Sequence, residues 1–87
     1  MTYFKVVDMS EALLHIQEHS QNHRWLSQNV DWIYDTLSMA LDKQDFQVEA
    51  AAICIGLHEW MLQQPTLPGR WHDLQMHANL IFGIHTV

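Results

Sequence analysis

Leu26, Val30, Ile33, Leu37 and Ala40 recur at steps of four, three, four and three residues. That rhythm lays an apolar stripe along one side of an α-helix, and a strand cannot use it because its side chains alternate every second residue. The stretch His23–Lys43 is therefore predicted to be an amphipathic helix facing a core. A lone striped helix cannot bury itself, so the rest of the chain must supply partners. It does. Phe46, Ala50, Ile53, Leu57 and Trp60 form a second stripe within Phe46–Gln64, and Trp71, Leu74, Ala78, Ile81 and His85 a third within Arg70–His85. Small residues on one side of Phe46–Gln64, the alanines and Gly56, are expected to let a neighbouring helix approach closely.

The boundaries are written in turn chemistry. "DMSE" sets Asp8 three residues before Glu11, a capping-box-like start with Asp8 as cap and Ser10 as a competitor, and a short helix follows over Glu11–His19. Continued to Lys43 without interruption it would run ~50 Å at 1.5 Å per residue. That is too long for 87 residues, so a break is expected at Ser20–Asn22. "DKQD" reads as a polar turn with Asp45 capping the next helix. Pro65 and Pro68 forbid helix continuation and restrict the residue before each. Thr2–Val7, β-branched and aromatic, reads as a short strand or extended arm whose edge can recruit a partner by strand addition. The expectation is one all-α domain of four helices, one short and three longer, with an extended N-terminal arm.

His15, His19 and His23 stand four residues apart in "HIQEHSQNH". Zinc needs ligands converging at ~2.0–2.3 Å, and on a straight helix the third histidine lies ~12 Å from the first. The row is therefore not a three-ligand site. His19 and His23 remain as a metal-binding pair if Glu18, His58, His72, His77 or His85 is brought to them. "HEW" at His58 lacks the second histidine of a zinc-protease motif. The favoured reading places these histidines at half-buried borders of the bundle, their tips satisfied by backbone or carboxylates, and no cofactor is expected. A pH-sensitive interface is the remaining use of such a row.

Composition excludes several functions. Four bases, Lys5, Arg24, Lys43 and Arg70, are scattered against ten acids, for a net charge of −6. No basic stripe exists to track a phosphate backbone or an anionic membrane, so direct nucleic-acid and membrane contacts are not expected. The acids are too interrupted by apolar stretches for a DNA mimic. Cys54 is the single cysteine and sits in an apolar run, which reads as a small buried hydrophobe in a reducing cytoplasm. The N-terminus lacks the cationic region and apolar run of a signal peptide. No glycine-rich phosphate loop, nucleophile elbow or catalytic cysteine motif occurs. Asp31 and Asp35, four apart, read as a solvated face. An enzyme is not expected.

One stretch concentrates contact chemistry. "WMLQQPTLPGRW" holds Trp60, Pro65, Leu67, Pro68, Arg70 and Trp71 at a helix–helix corner. Tryptophan and arginine are enriched at binding hot spots, and a proline-stiffened loop loses little entropy on docking. Mutual packing of Trp60 and Trp71 is an equal alternative. Gln64–Pro65 and Leu67–Pro68 are X–Pro bonds that exchange isomers over tens of seconds or more. If a partner accepts one isomer, binding has a slow phase that a host prolyl isomerase accelerates.

A small acidic helical chain with "QQPTLPGRW" resembles the anti-RecBCD accessory proteins of lambdoid phages, on Pro65, Leu67, Pro68 and Gly69 of the connector. The resemblance implies binding to the host RecBCD helicase–nuclease through its RecC subunit. It implies altered Chi response and nuclease activity in favour of phage recombination, and Pro68 as the contact-critical position. Three alternatives stand beside it: another host-defence inhibitor such as an anti-CRISPR, a histidine-dependent metal-binding module, and a structural homodimer using the N-terminal strand and the Leu26–Ala40 stripe.

Overall fold

The computed structural model describes residues 8–63 and 69–83, with the side chain of Arg70 left aside. The predicted arm at Thr2–Val7 and the connector residues Pro65, Leu67 and Pro68 lie outside the described residues. Within them the regular elements are all helical: α1 (Met9–Glu18), α2 (His23–Gln28), α3 (Val30–Leu41), α4 (Gln47–Gly56), α5 (His58–Leu62) and α6 (Gly69–Ile81). The four expected helices are present as a small all-α domain. Two of them are divided by single-residue hitches, the second at Asn29 and the third at Leu57.

Each end has a local cause. Asp8 accepts a hydrogen bond from the Ser10 amide at 3.3 Å and opens α1 as its cap. Asn22 accepts from the Trp25 amide at 3.1 Å and opens α2, so the chain breaks at Ser20–Asn22 as the length argument requires. At Asn29 the side-chain Nδ2 donates to the Trp25 carbonyl at 2.9 Å, which the Asn29 backbone amide also approaches at 3.1 Å. A side chain that shares its own helix's carbonyl weakens and bends the helix, and Asn29 leaves the helical region with φ −121° and ψ 22°. The turn before α4 runs one residue further than "DKQD" implies. Phe46, not Asp45, takes the N-cap position, without a side-chain cap. The Phe46 amide donates to Lys43 at 3.0 Å, and Gln47 Nε2 donates back to the Leu41 carbonyl at 3.0 Å. The last helix ends at Ile81, not at His85. Gly83 adopts φ +69° and its amide donates to the Leu80 carbonyl at 3.0 Å, the left-handed stop that glycine makes without strain.

The three stripes converge into one core. Leu26, Ile33, Leu37 and Ala40 are fully buried, with Val30 half-buried. That stripe is closed inside the chain, so it offers no face to a second copy, and the homodimer reading loses that surface. α4 packs on α6 in the most extensive helix contact among the described residues, α3 packs on α4, and Ala50, Ile53, Leu57 and Trp60 share one core with Trp71, Leu74 and Ala78. α1 adds Leu13 and Ile16. Ala50 and Ala51 have no exposed surface, as expected of small residues at a close helix contact. Gly56 is different: it is exposed, and a Cβ there would meet nothing within 4 Å. It does not serve close approach. Gly56→Ala should therefore stabilise the domain by about 0.5–1 kcal/mol, through lower unfolded-state entropy and better helix propensity. A raised urea midpoint with an unchanged slope is the expected result. Among the described residues no helix is long and apolar enough to cross a membrane.

Candidate functional site

The α5–α6 corner is built on buried tryptophans. Trp60 is 6 % exposed and Trp71 is 3 % exposed, so both indoles belong to the core. Trp71 meets Tyr34 of α3 edge-to-face, with centroids 5.3 Å apart at 80°, a geometry favoured by the ring quadrupoles. The corner is tied from within by Gln75 of α6. Its Nε2 donates to the Cys54 carbonyl at 2.6 Å and lies 3.0 Å from Met61 Sδ. Cys54 stands in the last turn of α4, where intrahelical amides run out, so the amide from α6 supplies a donor where the α4–α5 hitch removes one. Gln75→Leu should cost about 1–3 kcal/mol, the penalty for leaving a part-buried acceptor unpaired. Thermal melts of the variant and of Gln75→Glu would show the loss.

The outer side of the corner is apolar and open. Met61 is 1 % exposed, whereas its neighbour Leu62 is 60 % exposed. Between α5 and α6 a crevice of about 60 Å³ is lined by His58, Met61, Leu62, Trp71, His72 and Gln75. Met76 and Leu80, exposed, follow His72 along the outward side of α6. Of the residues expected to make the contact, Trp60 and Trp71 support the corner from behind. Pro65, Leu67 and Pro68 and the Arg70 side chain lie outside what is described.

Of the histidine row only His19 is half-buried as expected; His15 and His23 are exposed, though His15 lies against neighbouring rings. His19 stacks on Trp25, centroids 4.5 Å apart at 25°, and its Nδ1 donates to the His15 carbonyl at 2.9 Å. His15 stands 4.6 Å from His19 by centroid. His23 opens α2 and is exposed. Among the described residues no group of three or more His, Cys, Asp or Glu side chains is placed to hold a metal ion. Asp31 and Asp35 are both exposed on α3. Cys54 is buried, and burial pushes its thiol up to about 12, so it carries no thiolate at neutral pH.

The tryptophans that sequence reasoning passed over form a second surface. Trp25 and Trp32 are half-buried and meet edge-to-face at 6.2 Å, with His15 against both. A signal was present. Each tryptophan immediately precedes a stripe residue, Leu26 or Ile33, which puts both on the same flank of the stripe, at the edge of the core.

This fold defines a small all-α domain with an apolar corner and an aromatic flank. Comparison with protein-family models, curated proteins and solved structures finds no match for the chain.

Proposed function

We propose that the chain is a non-catalytic binding domain that docks on a larger protein through the α5–α6 corner. On the resemblance of the connector, the target is the host RecBCD helicase–nuclease, engaged through RecC in the host cytoplasm. Docking there would shift Chi response and nuclease activity toward phage recombination. The observation that supports this reading is the contrast across the corner. Trp60, Trp71 and Gln75 hold it rigidly from the inside, while Leu62, at 60 % exposure, stands beside the crevice on the outside. A pre-organised surface with an exposed apolar side chain binds with little ordering cost, and a few residues at the centre of an interface carry most of its energy. The buried Cys54 thiol, held protonated, supplies no nucleophile.

The test uses purified RecBCD on linear duplex DNA with and without Chi. Stoichiometric protein should change both degradation and the response to Chi. Leu62→Asp and Pro68→Ala, each verified as folded by circular dichroism, should weaken the effect by more than about tenfold. A wild-type chain that leaves degradation and Chi response unchanged removes RecBCD as the target. Folded variants as potent as wild type remove the corner as the contact.

A further inference from the structure

His15, Trp25 and Trp32 form the corner of a box. The three rings stand nearly perpendicular in every pair: His15–Trp25 at 81° and 5.2 Å, His15–Trp32 at 80° and 6.3 Å, Trp25–Trp32 at 84° and 6.2 Å. Together with Asn29 they line an open hollow of about 210 Å³. The walls are braced. His19 stacks on Trp25 and is itself tied to the His15 carbonyl, and Asn29 is held by its Nδ2 on the Trp25 carbonyl. One amide hydrogen is so used, which leaves Asn29 its carbonyl oxygen as an acceptor and the second amide hydrogen as a donor at the rim of the hollow.

We propose that this hollow is a receptor for a trimethylammonium group. Aromatic faces attract cations through the ring quadrupole, most strongly tryptophan, and grouped aromatic walls recognise quaternary ammonium. Three mutually perpendicular rings bordering one hollow suit a tetrahedral cation, whose polarised methyl groups point in several directions at once. A planar guanidinium stacks on only one. The hollow is smaller than the ~300 Å³ at which drug-sized sites begin, which selects a compact head group over a larger aromatic ligand. The surrounding charge has the right sign. Glu11 and Glu18 lie four residues before and three after His15, Asp35 lies three after Trp32, all are exposed, and the whole chain carries −6. On helices those spacings place carboxylates within a turn of the ring walls.

The same head group exists free, as choline, or on a protein, as trimethyllysine, and the experiment separates the two. Choline, a short trimethyllysine peptide, its unmethylated counterpart and the neutral isostere 3,3-dimethyl-1-butanol are titrated against the full chain. The indole N–H signals of its tryptophans are followed by two-dimensional NMR. Saturable shifts of the Trp25 and Trp32 indoles with choline or the methylated peptide, and none with the isostere, are expected. Tighter binding of the peptide than of choline places the group on a partner's lysine, and equal binding places it on a free cation. Trp32→Leu should weaken binding about tenfold. His15→Lys, at an exposed position, replaces one wall with a like charge and should abolish binding with the fold intact. Equal response to the isostere, binding unchanged in His15→Lys, or no response to any ligand overturns the proposal. Any of these leaves docking at the α5–α6 corner untouched, because that surface is lined by different residues.

Discussion

Trp71→Ala is expected to cost about 3–5 kcal/mol, the range for removing a large buried aromatic side chain. A domain of this kind holds only about 5–15 kcal/mol in total, so the variant should lose a large fraction of its stability. The size of the effect follows from position. At 3 % exposure the indole fills the space between α6 and α3, and its removal takes the edge-to-face contact with Tyr34 along with the buried area. Urea denaturation followed by circular dichroism measures it. Trp71→Phe, which keeps a ring against Tyr34, should recover most of the loss. A Trp71→Ala chain within 1 kcal/mol of wild type, on the order of an exposed substitution, would mean that the indole is not part of the core. Loss of partner binding in Trp71→Ala would reflect loss of the fold, which is why Leu62→Asp is the sharper probe of the corner.

The second large effect concerns Cys54. Burial raises its thiol from 9.0 to about 12, so at a given mildly alkaline pH the native chain holds about a thousandfold less thiolate than the unfolded one. Ellman's reagent at pH 8 should therefore leave the native protein almost unlabelled and react readily in 6 M guanidinium. The same shift couples to stability. Above pH 9 the unfolded thiol sheds its proton while the native one retains it, so the unfolded state binds fewer protons and stability falls as pH rises. The contribution is fully present below pH 9 and disappears as the pH climbs through about 12. Urea midpoints at pH 8 and pH 10.5 should diverge more for wild type than for Cys54→Ala, the variant that removes the titrating group while lysines and tyrosines remain. Rapid native labelling, or identical pH dependence in the two chains, would place the thiol at the surface.

The helices were legible because their stripes are long and periodic, and a stripe reports burial directly. Leu26 to Ala40, Phe46 to Trp60 and Trp71 to Ile81 all face inward or line the border of the core. The hitches were not legible, because the stripe passes through them in phase. Leu26 and Ile33 both remain buried on either side of Asn29, so apolar spacing carries no trace of the interruption. That interruption is local to one asparagine, whose side chain and backbone amides share the Trp25 carbonyl. The ends at Phe46 and Gly83 were missed for a similar reason, since each depends on a single turn's conformation. The corner was legible from its prolines, but the burial of its two indoles was weighed evenly against exposure. Trp60 and Trp71 already lay on stripes, and stripe membership outweighs the enrichment of tryptophan at interfaces. Trp25 and Trp32 lay one residue off a stripe, and their company with His15 depends on α1 folding back, which no spacing within one segment encodes.

The dislocation at Asn29 has a geometric consequence. On an uninterrupted helix, residues seven apart stand ~10 Å from one another along the axis, too far for their rings to touch without reaching. Here the two indoles that flank the asparagine have centroids 6.2 Å apart. The two outer indoles thus meet across the interruption, one carried by each of the segments it separates.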